Sequence, residues 1–148
     1  MFESVYKKVS AFQKKFPGTV CWRLDQHSKV IEKHMNPNEK LLFAFPGQLN
    51  DGKWELFDTA IVALTSERII IGHKNILPGY NFITITPDMY NDLTVKAGII
   101  WGTVIIDTVK EKVTISNLSK RALPEIETFI TMFMEEAKKQ YPPRDREK

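Results

Sequence analysis

The sharpest local motif of the sequence is Thr65-Ser66-Glu67-Arg68, which interrupts the β-rich segment Ala63–Ile71. An arginine at the start of a strand can bind an anion through the fork of N–H donors on its guanidinium. The same residue types also build a tight turn, in which the hydroxyls bond the backbone and Arg68 pairs with Glu67 or another nearby carboxylate. Because turn chemistry explains every residue of the motif, we favour the structural role for Arg68.

The N-terminal segment carries a second set of candidate groups, four lysines that alternate with apolar residues. The apolar residues follow one another at spacings of four, three and four, which predicts one helix over residues 3–16; they are Val5, Val9, Phe12 and Phe16, and the lysines are Lys7, Lys8, Lys14 and Lys15. Such a helix could lie on an anionic bilayer. It could also pack its apolar face on the protein, and we favour packing because Glu3, Gln13 and the short length weaken the amphipathic pattern.

The histidines and the cysteine are the remaining residues that could ligate a metal or act as nucleophiles. His27 and His34 are seven residues apart, whereas chelation by one helix prefers a spacing of four and needs further ligands. His73 falls on a predicted strand, and Cys21 is the single cysteine. We therefore predict packing or surface positions for these side chains and expect no metal and no cofactor. The sequence contains no nucleophile elbow, glycine-rich phosphate loop, HExxH motif or pair of catalytic carboxylates, so we expect no enzyme.

Charge and composition limit the classes of partner. The 148 residues carry a net charge of +3, which divides into +4 for residues 1–40, −2 for 41–118 and +1 for 119–148. A strand region of negative charge argues against nucleic acid as a partner, and it favours packing roles over an RNA platform for Trp54, Phe57 and Trp101. The absence of a secretory signal and of a long apolar run, together with the single cysteine, predicts a soluble cytoplasmic protein.

The pattern of elements predicts a mainly β fold of the α+β kind. Two amphipathic helices form a helical hairpin over residues 1–36, and seven short strands follow from Leu41 to Leu118. A C-terminal helix begins near Leu123-Pro124, where proline suits the first turn. We expect an antiparallel barrel or sandwich capped by this helix. The predicted division is a helical extension at 1–36, a domain at 37–140 and a flexible tail at 141–148.

The sequence resembles the bacterial pleckstrin-homology-like family of the YokE type over residues 38–138. Four segments carry the resemblance: Asn38–Leu42, Ala63–Ile70, Gly98–Val104 and Val113–Leu118. The resemblance implies a pleckstrin-homology-like fold, seven strands closed by one helix, and a binding or assembly role. Phosphoinositide binding in this superfold uses several cations of the first hairpin, and here Gly47–Lys53 offers Lys53 alone, close to Asp51. Lys53 is therefore a weak anion-binding candidate, together with the four N-terminal lysines.

Two hypotheses about function follow. The first is a non-catalytic module that binds a protein or peptide, or that associates with itself as a homo-oligomer. The alternative is a peripheral membrane module that binds an anionic lipid surface through Lys7, Lys8, Lys14 and Lys15. The residues that would contact a protein partner are not identifiable from the sequence.

Overall fold

The computed structural model describes residues 4–19, 21–49, 59–75 and 78–139. The predicted tail at 141–148, Lys53, Trp54 and Phe57 lie outside the described residues. The elements in chain order are α1 (Val5–Lys15), α2 (Leu24–His34), β1 (Leu41–Leu49), β2 (Thr59–Thr65), β3 (Ile69–Lys74), β4 (Tyr80–Ile85), β5 (Tyr90–Ala97), β6 (Trp101–Thr108), β7 (Lys112–Ser119) and α3 (Leu123–Lys138), with a 3₁₀ turn at Lys120–Ala122.

The described strands form one antiparallel sheet in the order β4-β3-β2-β1-β7-β6-β5. The sheet curls into a half-barrel, and α3 closes it beside β5. The predicted fold class is therefore confirmed. One boundary differs from the expectation: the sequence predicts a turn over residues 48–52, and β1 continues through Gln48 and Leu49.

The inner face of the half-barrel holds the larger apolar core. Alternate residues of the strands meet the buried face of α3 there, and the 3₁₀ turn brings Leu123 against Gly102 of β6. A Cβ at Gly102 would stand 2.6 Å from a Leu123 methyl group, so a glycine is needed for this close approach. The buried face of α3 consists of Leu123, Ile126, Ile130 and Met134. Phe129 lies beside this face, where it is half exposed and stacks on Phe43.

The outer face of the sheet is covered by α1 and α2, which form the predicted helical hairpin. Val5, Val9 and Ile31 of the helices pack on β1, β2 and β3, and form a second apolar core with Leu41, Ala44, Ile61, Ala63 and Ile70. Because both faces of β2 are covered, all seven of its residues are buried, and its sequence shows no alternation. Gly72 of β3 admits α2 closely, since a Cβ there would lie 2.7 Å from Ile31.

Hydrogen bonds fix the helical hairpin to itself and to the sheet. The Ser4 hydroxyl caps α1 by accepting from Lys7 N–H, and the Glu32 carboxylate of α2 accepts from Val5 N–H at 2.8 Å. Arg23, the residue before α2, lies in the left-handed region at φ 56°, and its guanidinium donates to the carbonyl of Lys74 at 2.9 Å. The helical hairpin is thus a packed layer of the same folded unit. The division at residue 36 stays a prediction.

Candidate functional site

The turn at Thr65–Arg68 is built by the threonine hydroxyl. Thr65 Oγ1 accepts from the backbone N–H groups of Glu67 and Arg68, both at 3.1 Å, and the N–H of Thr65 donates to Arg68 O at 2.9 Å. The Ser66 hydroxyl accepts from Lys40 N–H at 2.9 Å. The motif therefore forms the turn between β2 and β3, as the residue types indicated.

Arg68 of this turn forms a bidentate pair with Glu39, whose side chain is fully buried. Its Nε and one terminal nitrogen donate to the two carboxylate oxygens at 2.9 and 3.0 Å, and that same nitrogen donates to His34 O at 2.9 Å. Thr65 and the N–H of Asn36 also donate to the carboxylate. We call Glu39, Thr65 and Arg68 the Glu39–Arg68 cluster.

The pKa shifts of Glu39 and Arg68 both favour the charged forms of these side chains. Burial alone would raise the pKa of Glu39, but the hydrogen bonds from Arg68, Thr65 and Asn36 hold the pKa below its ordinary value. The bond to Glu39 raises the pKa of Arg68. The guanidinium is thus committed to an internal carboxylate, and the structural interpretation of Arg68 holds. The sequence named Glu67 or another carboxylate as the partner, and the partner is Glu39.

A second buried polar group, the histidine cluster, comprises His27, Thr59 and His73. The two imidazole rings stack with centroids 5.0 Å apart. His27 Nδ1 accepts from Lys74 N–H at 2.8 Å, which leaves the proton of a neutral ring on Nε2, 3.1 Å from Thr59 Oγ1. The Thr59 hydroxyl in turn donates to Trp22 O at 3.2 Å. Both ring nitrogens of His27 are therefore hydrogen-bonded in the neutral form. A second proton, on Nδ1, would face the N–H of Lys74 and not an acceptor.

Burial perturbs the titration of groups at this cluster. Burial, and after it the neighbouring His73 and Arg23, lowers the pKa of His27 from 6.5 to about 4. Burial raises the pKa of Cys21 to about 12, so this thiol stays protonated at neutral pH and is a poor nucleophile. Across the part of the chain that the structure describes, no group of three or more metal-ligating side chains occurs.

The lysines named from the sequence occupy different parts of α1. Lys7 and Lys14 are exposed, Lys8 is half buried, and Lys15 pairs with Glu125 of α3 at 2.9 Å. The apolar face of α1 is buried against the sheet, so this face cannot enter a bilayer while α1 stays packed. Anion binding by these lysines, and by Lys53, stays a prediction.

One surface has no counterpart among the sequence motifs, and we call it the groove: it consists of the edge strand β5 and the flank of α3, packed beside it, that carries Glu127, Thr131 and Glu135. These three residues recur at intervals of four and so share that flank. Asp92 of β5 and Glu135 both interact with Tyr90; burial first, and then these two carboxylates, raises the pKa of Tyr90 to about 12. A sequence signal existed in the acidic residues of α3, but their position depends on how the helix docks.

Comparisons with solved structures show the same architecture. The chain is similar to the Vps36 N-terminal PH domain, with 18% identity and a TM-score of 0.53 over 69% of this chain and 83% of that one. It is also similar to a pleckstrin homology domain from Shewanella amazonensis SB2B (14% identity, TM-score 0.52, 83% of this chain and 98% of that one). A DUF1696 family protein with a pleckstrin-homology domain from Shewanella loihica PV-4 gives 12% identity and a TM-score of 0.50, over 82% and 98%. These likenesses establish the fold.

The family model of the bacterial PH domain matches residues 35–132. The chain therefore belongs to the bacterial PH domain family, as the resemblance in the sequence predicted. Proteins of this class generally mediate binding and are generally non-catalytic. No curated protein matches the sequence. Within the described residues, no helix is both long and apolar enough to cross a membrane.

Proposed function

We propose that this PH domain is a non-catalytic module that binds an extended basic peptide in the groove between β5 and α3. The observation that supports this most is the position of β5. Among the described strands, β5 ends the order and pairs with β6 alone, so its other edge presents backbone groups to an incoming strand.

The first part of β5 is protected from pairing. The register shifts between Tyr90 and Asp92, and the Asp92 carboxylate accepts from the N–H of Leu93 at 2.8 Å. A bulge and a satisfied N–H are devices that stop edge pairing. The backbone of the peptide therefore pairs with Thr94–Ala97, and its side chains reach the carboxylates nearer Tyr90.

The charge of the groove selects the peptide. Asp92 and Glu135 both act on Tyr90, and Glu127 lies two turns before Glu135 on the same flank of α3. Lysine or arginine at alternate positions of the peptide would face this flank, because alternate residues of a strand share one side. Exposed charge pairs of this kind contribute modestly to affinity and chiefly decide which sequence binds.

Isothermal titration calorimetry with a peptide of alternating valine and lysine, eight residues long like β5, tests the proposal. A peptide of alternating valine and glutamate is its matched control. We expect the lysine peptide to bind, and Asp92→Asn with Glu135→Gln to weaken it by about threefold to tenfold. The exposed carboxylate of Glu111, on the β6–β7 turn, supplies the control variant Glu111→Gln, which should bind normally. Equal binding of both peptides would contradict the proposal, as would a loss with Glu111→Gln.

Self-association is the other form of binding that the sequence predicted, since a second copy of the chain could supply a strand to the edge of β5. Size-exclusion chromatography with light scattering measures it. A dimer that dissociates when Ala97→Pro is introduced in β5 would support a homo-oligomer formed at this edge. The alternation of the β5–β6 pairs turns the N–H of Ala97 away from β6, so proline there removes a donor of the free edge. A monomer at all concentrations would contradict it.

A further inference from the structure

The hairpin between β5 and β6 ends in the largest exposure of aliphatic side chain in the described structure. Ile99 is 93% exposed and Ile100 is 66% exposed, next to Trp101, which is half exposed. The turn is held by Gly98 N–H donating to Trp101 O at 2.8 Å. Isolated exposed apolar residues are ordinary, but adjacent ones at the tip of a fixed turn mark an interaction site.

Hydrogen bonds hold this tip against two other segments. The Lys120 ammonium donates to Ile99 O at 2.8 Å, and the indole N–H of Trp101 donates to Gly18 O at 3.1 Å. Gly18 lies in the loop after α1, and the Thr19 hydroxyl of the same loop accepts from Ser119 N–H at 2.9 Å. The end of α1, the hairpin tip and the 3₁₀ turn before α3 therefore meet at one end of the molecule.

The side chains around the tip are mostly cationic. Lys96 is exposed on β5, and Lys120 and Arg121 are exposed in the 3₁₀ turn. Lys14 and Lys15 end α1, and Lys15 neutralises Glu125 of α3. The exposed isoleucines thus share this end of the molecule with several cations. We call the set the basic tip, formed by Lys14, Lys96, Ile99, Ile100, Lys120 and Arg121.

We infer that the basic tip docks on an anionic lipid bilayer, with Ile99 and Ile100 entering the interface and the cations contacting the lipid headgroups. Charge complementarity argues for this occupant, because an apolar tip ringed by cations fits a surface that is apolar within and anionic outside. The inference goes beyond the proposed peptide groove and does not depend on it. It also differs from the amphipathic-helix hypothesis, because the apolar face of α1 is buried and Lys7 lies about 10 Å along the helix from Lys14.

Vesicle co-sedimentation of the full chain tests the inference. The probes are vesicles of equal parts phosphatidylglycerol and phosphatidylcholine, and vesicles of phosphatidylcholine alone. We expect binding to the first and not to the second. Each cation of the basic tip should contribute about fivefold to the partition coefficient, and the two isoleucines together at least tenfold.

Matched variants locate the contact. Ile99→Asp with Ile100→Asp should lower binding at least tenfold, whereas Val109→Asp should leave it unchanged, since Val109 is 61% exposed but lies on the β6–β7 turn. Lys96→Glu with Arg121→Glu should lower binding at least tenfold, and Lys29→Glu with Lys33→Glu on α2 should have a smaller effect. All the substituted side chains are exposed, so circular dichroism should report an unchanged fold for every variant.

Three results would overturn the inference. The first is equal binding to both kinds of vesicle. The second is binding to anionic vesicles that is insensitive to the Ile99 and Ile100 variants. The third is a self-associated protein that becomes monomeric when the two isoleucines are replaced, because the tip would then be a protein–protein contact. Loss of vesicle binding leaves peptide calorimetry untouched, so the two proposals fail separately.

Discussion

The Glu39–Arg68 cluster and the histidine cluster are both buried, and they stabilise the fold in opposite ways. In the first, a carboxylate and a guanidinium keep full charge because each is hydrogen-bonded to the other. In the second, His27 satisfies its neighbours because it carries no charge. The comparison teaches that the most chemically suggestive residues of the sequence have internal partners. The binding that we propose therefore uses surfaces whose residues form no motif.

Removal of the helical hairpin is the largest perturbation of both clusters. A chain that lacks residues 1–36 loses His27 and the His34 carbonyl, and exposes the outer face of β1, β2 and β3. An apolar sheet face of this kind promotes aggregation. We expect light scattering to report an aggregated protein. A folded monomer with an unchanged Tm would show instead that the hairpin is an independent extension.

Arg68→Ala breaks the charged cluster alone. The substitution leaves the Glu39 carboxylate buried without its cation, which should lower the free energy of unfolding by about 3–5 kcal/mol. Denaturant unfolding measures the change. Arg121→Ala removes an exposed arginine and should change it by less than about 0.5 kcal/mol. If Arg68→Ala were equally mild, the cluster would not be a stabilising element.

A fall in pH from 7.5 to 4 should destabilise the protein through the histidine cluster before it affects the Glu39–Arg68 cluster. The pKa of His27 is about 4 in the folded chain and 6.5 when unperturbed, so the unfolded chain takes up this proton first as pH falls. The contribution of His27 is complete above about pH 6.5 and is lost progressively as pH drops toward 4, by an amount on the order of 3 kcal/mol. Unfolding followed from pH 7.5 to 4 should show the fall.

Substitution of two different histidines, His27 and His34, controls for the source of the acid effect. His27→Gln keeps a donor and an acceptor without titrating, and should flatten the pH dependence over this interval at some cost in stability. His34→Gln, on the half-exposed side of α2, should leave the fall in place. A pH profile that is identical in the wild type and in His27→Gln would remove His27 as its cause.

Local pattern predicted much of this molecule, and long-range contact accounts for what it missed. The spacing of Val5, Val9 and Phe12 predicted α1 and its buried face, because both follow from helical period. No local signal pairs Glu39 with Arg68, which meet because the pairing of β1 with β2 places the residues before β1 beside the turn after β2. His27 and His73 likewise meet only because α2 docks on β3.

The residues that form the groove and the basic tip lay further beyond sequence reasoning. Asp92 and Glu135 both act on Tyr90 only because α3 packs beside β5, and no local signal marks Ile99 and Ile100 as exposed. Anion binding by the four N-terminal lysines stays a prediction. In the structure, Lys14 and Lys15 lie in the last turn of α1, where Lys15 forms an ion pair with Glu125. Lys7 and Lys8 lie about two turns earlier on the helix.

A small effect on stability is expected at the groove. Asp92→Asn with Glu135→Gln changes exposed side chains, and the free energy of unfolding should change by less than about 1 kcal/mol. This contrasts with the buried clusters, where one substitution costs several times as much. A large loss of stability, measured by denaturant unfolding, would make the groove a structural element.

Amide chemical-shift mapping by NMR tests the central claim most directly. The full chain is titrated with the peptide of alternating valine and lysine, and its amide resonances are followed. The account predicts that the shifts concentrate on Thr94–Ala97 of β5 and on the flank of α3 with Glu127, Thr131 and Glu135, while the amides of Glu39, Thr65 and Arg68 stay in place. Shifts centred on Arg68 or on β4, or no shifts at all, would contradict it.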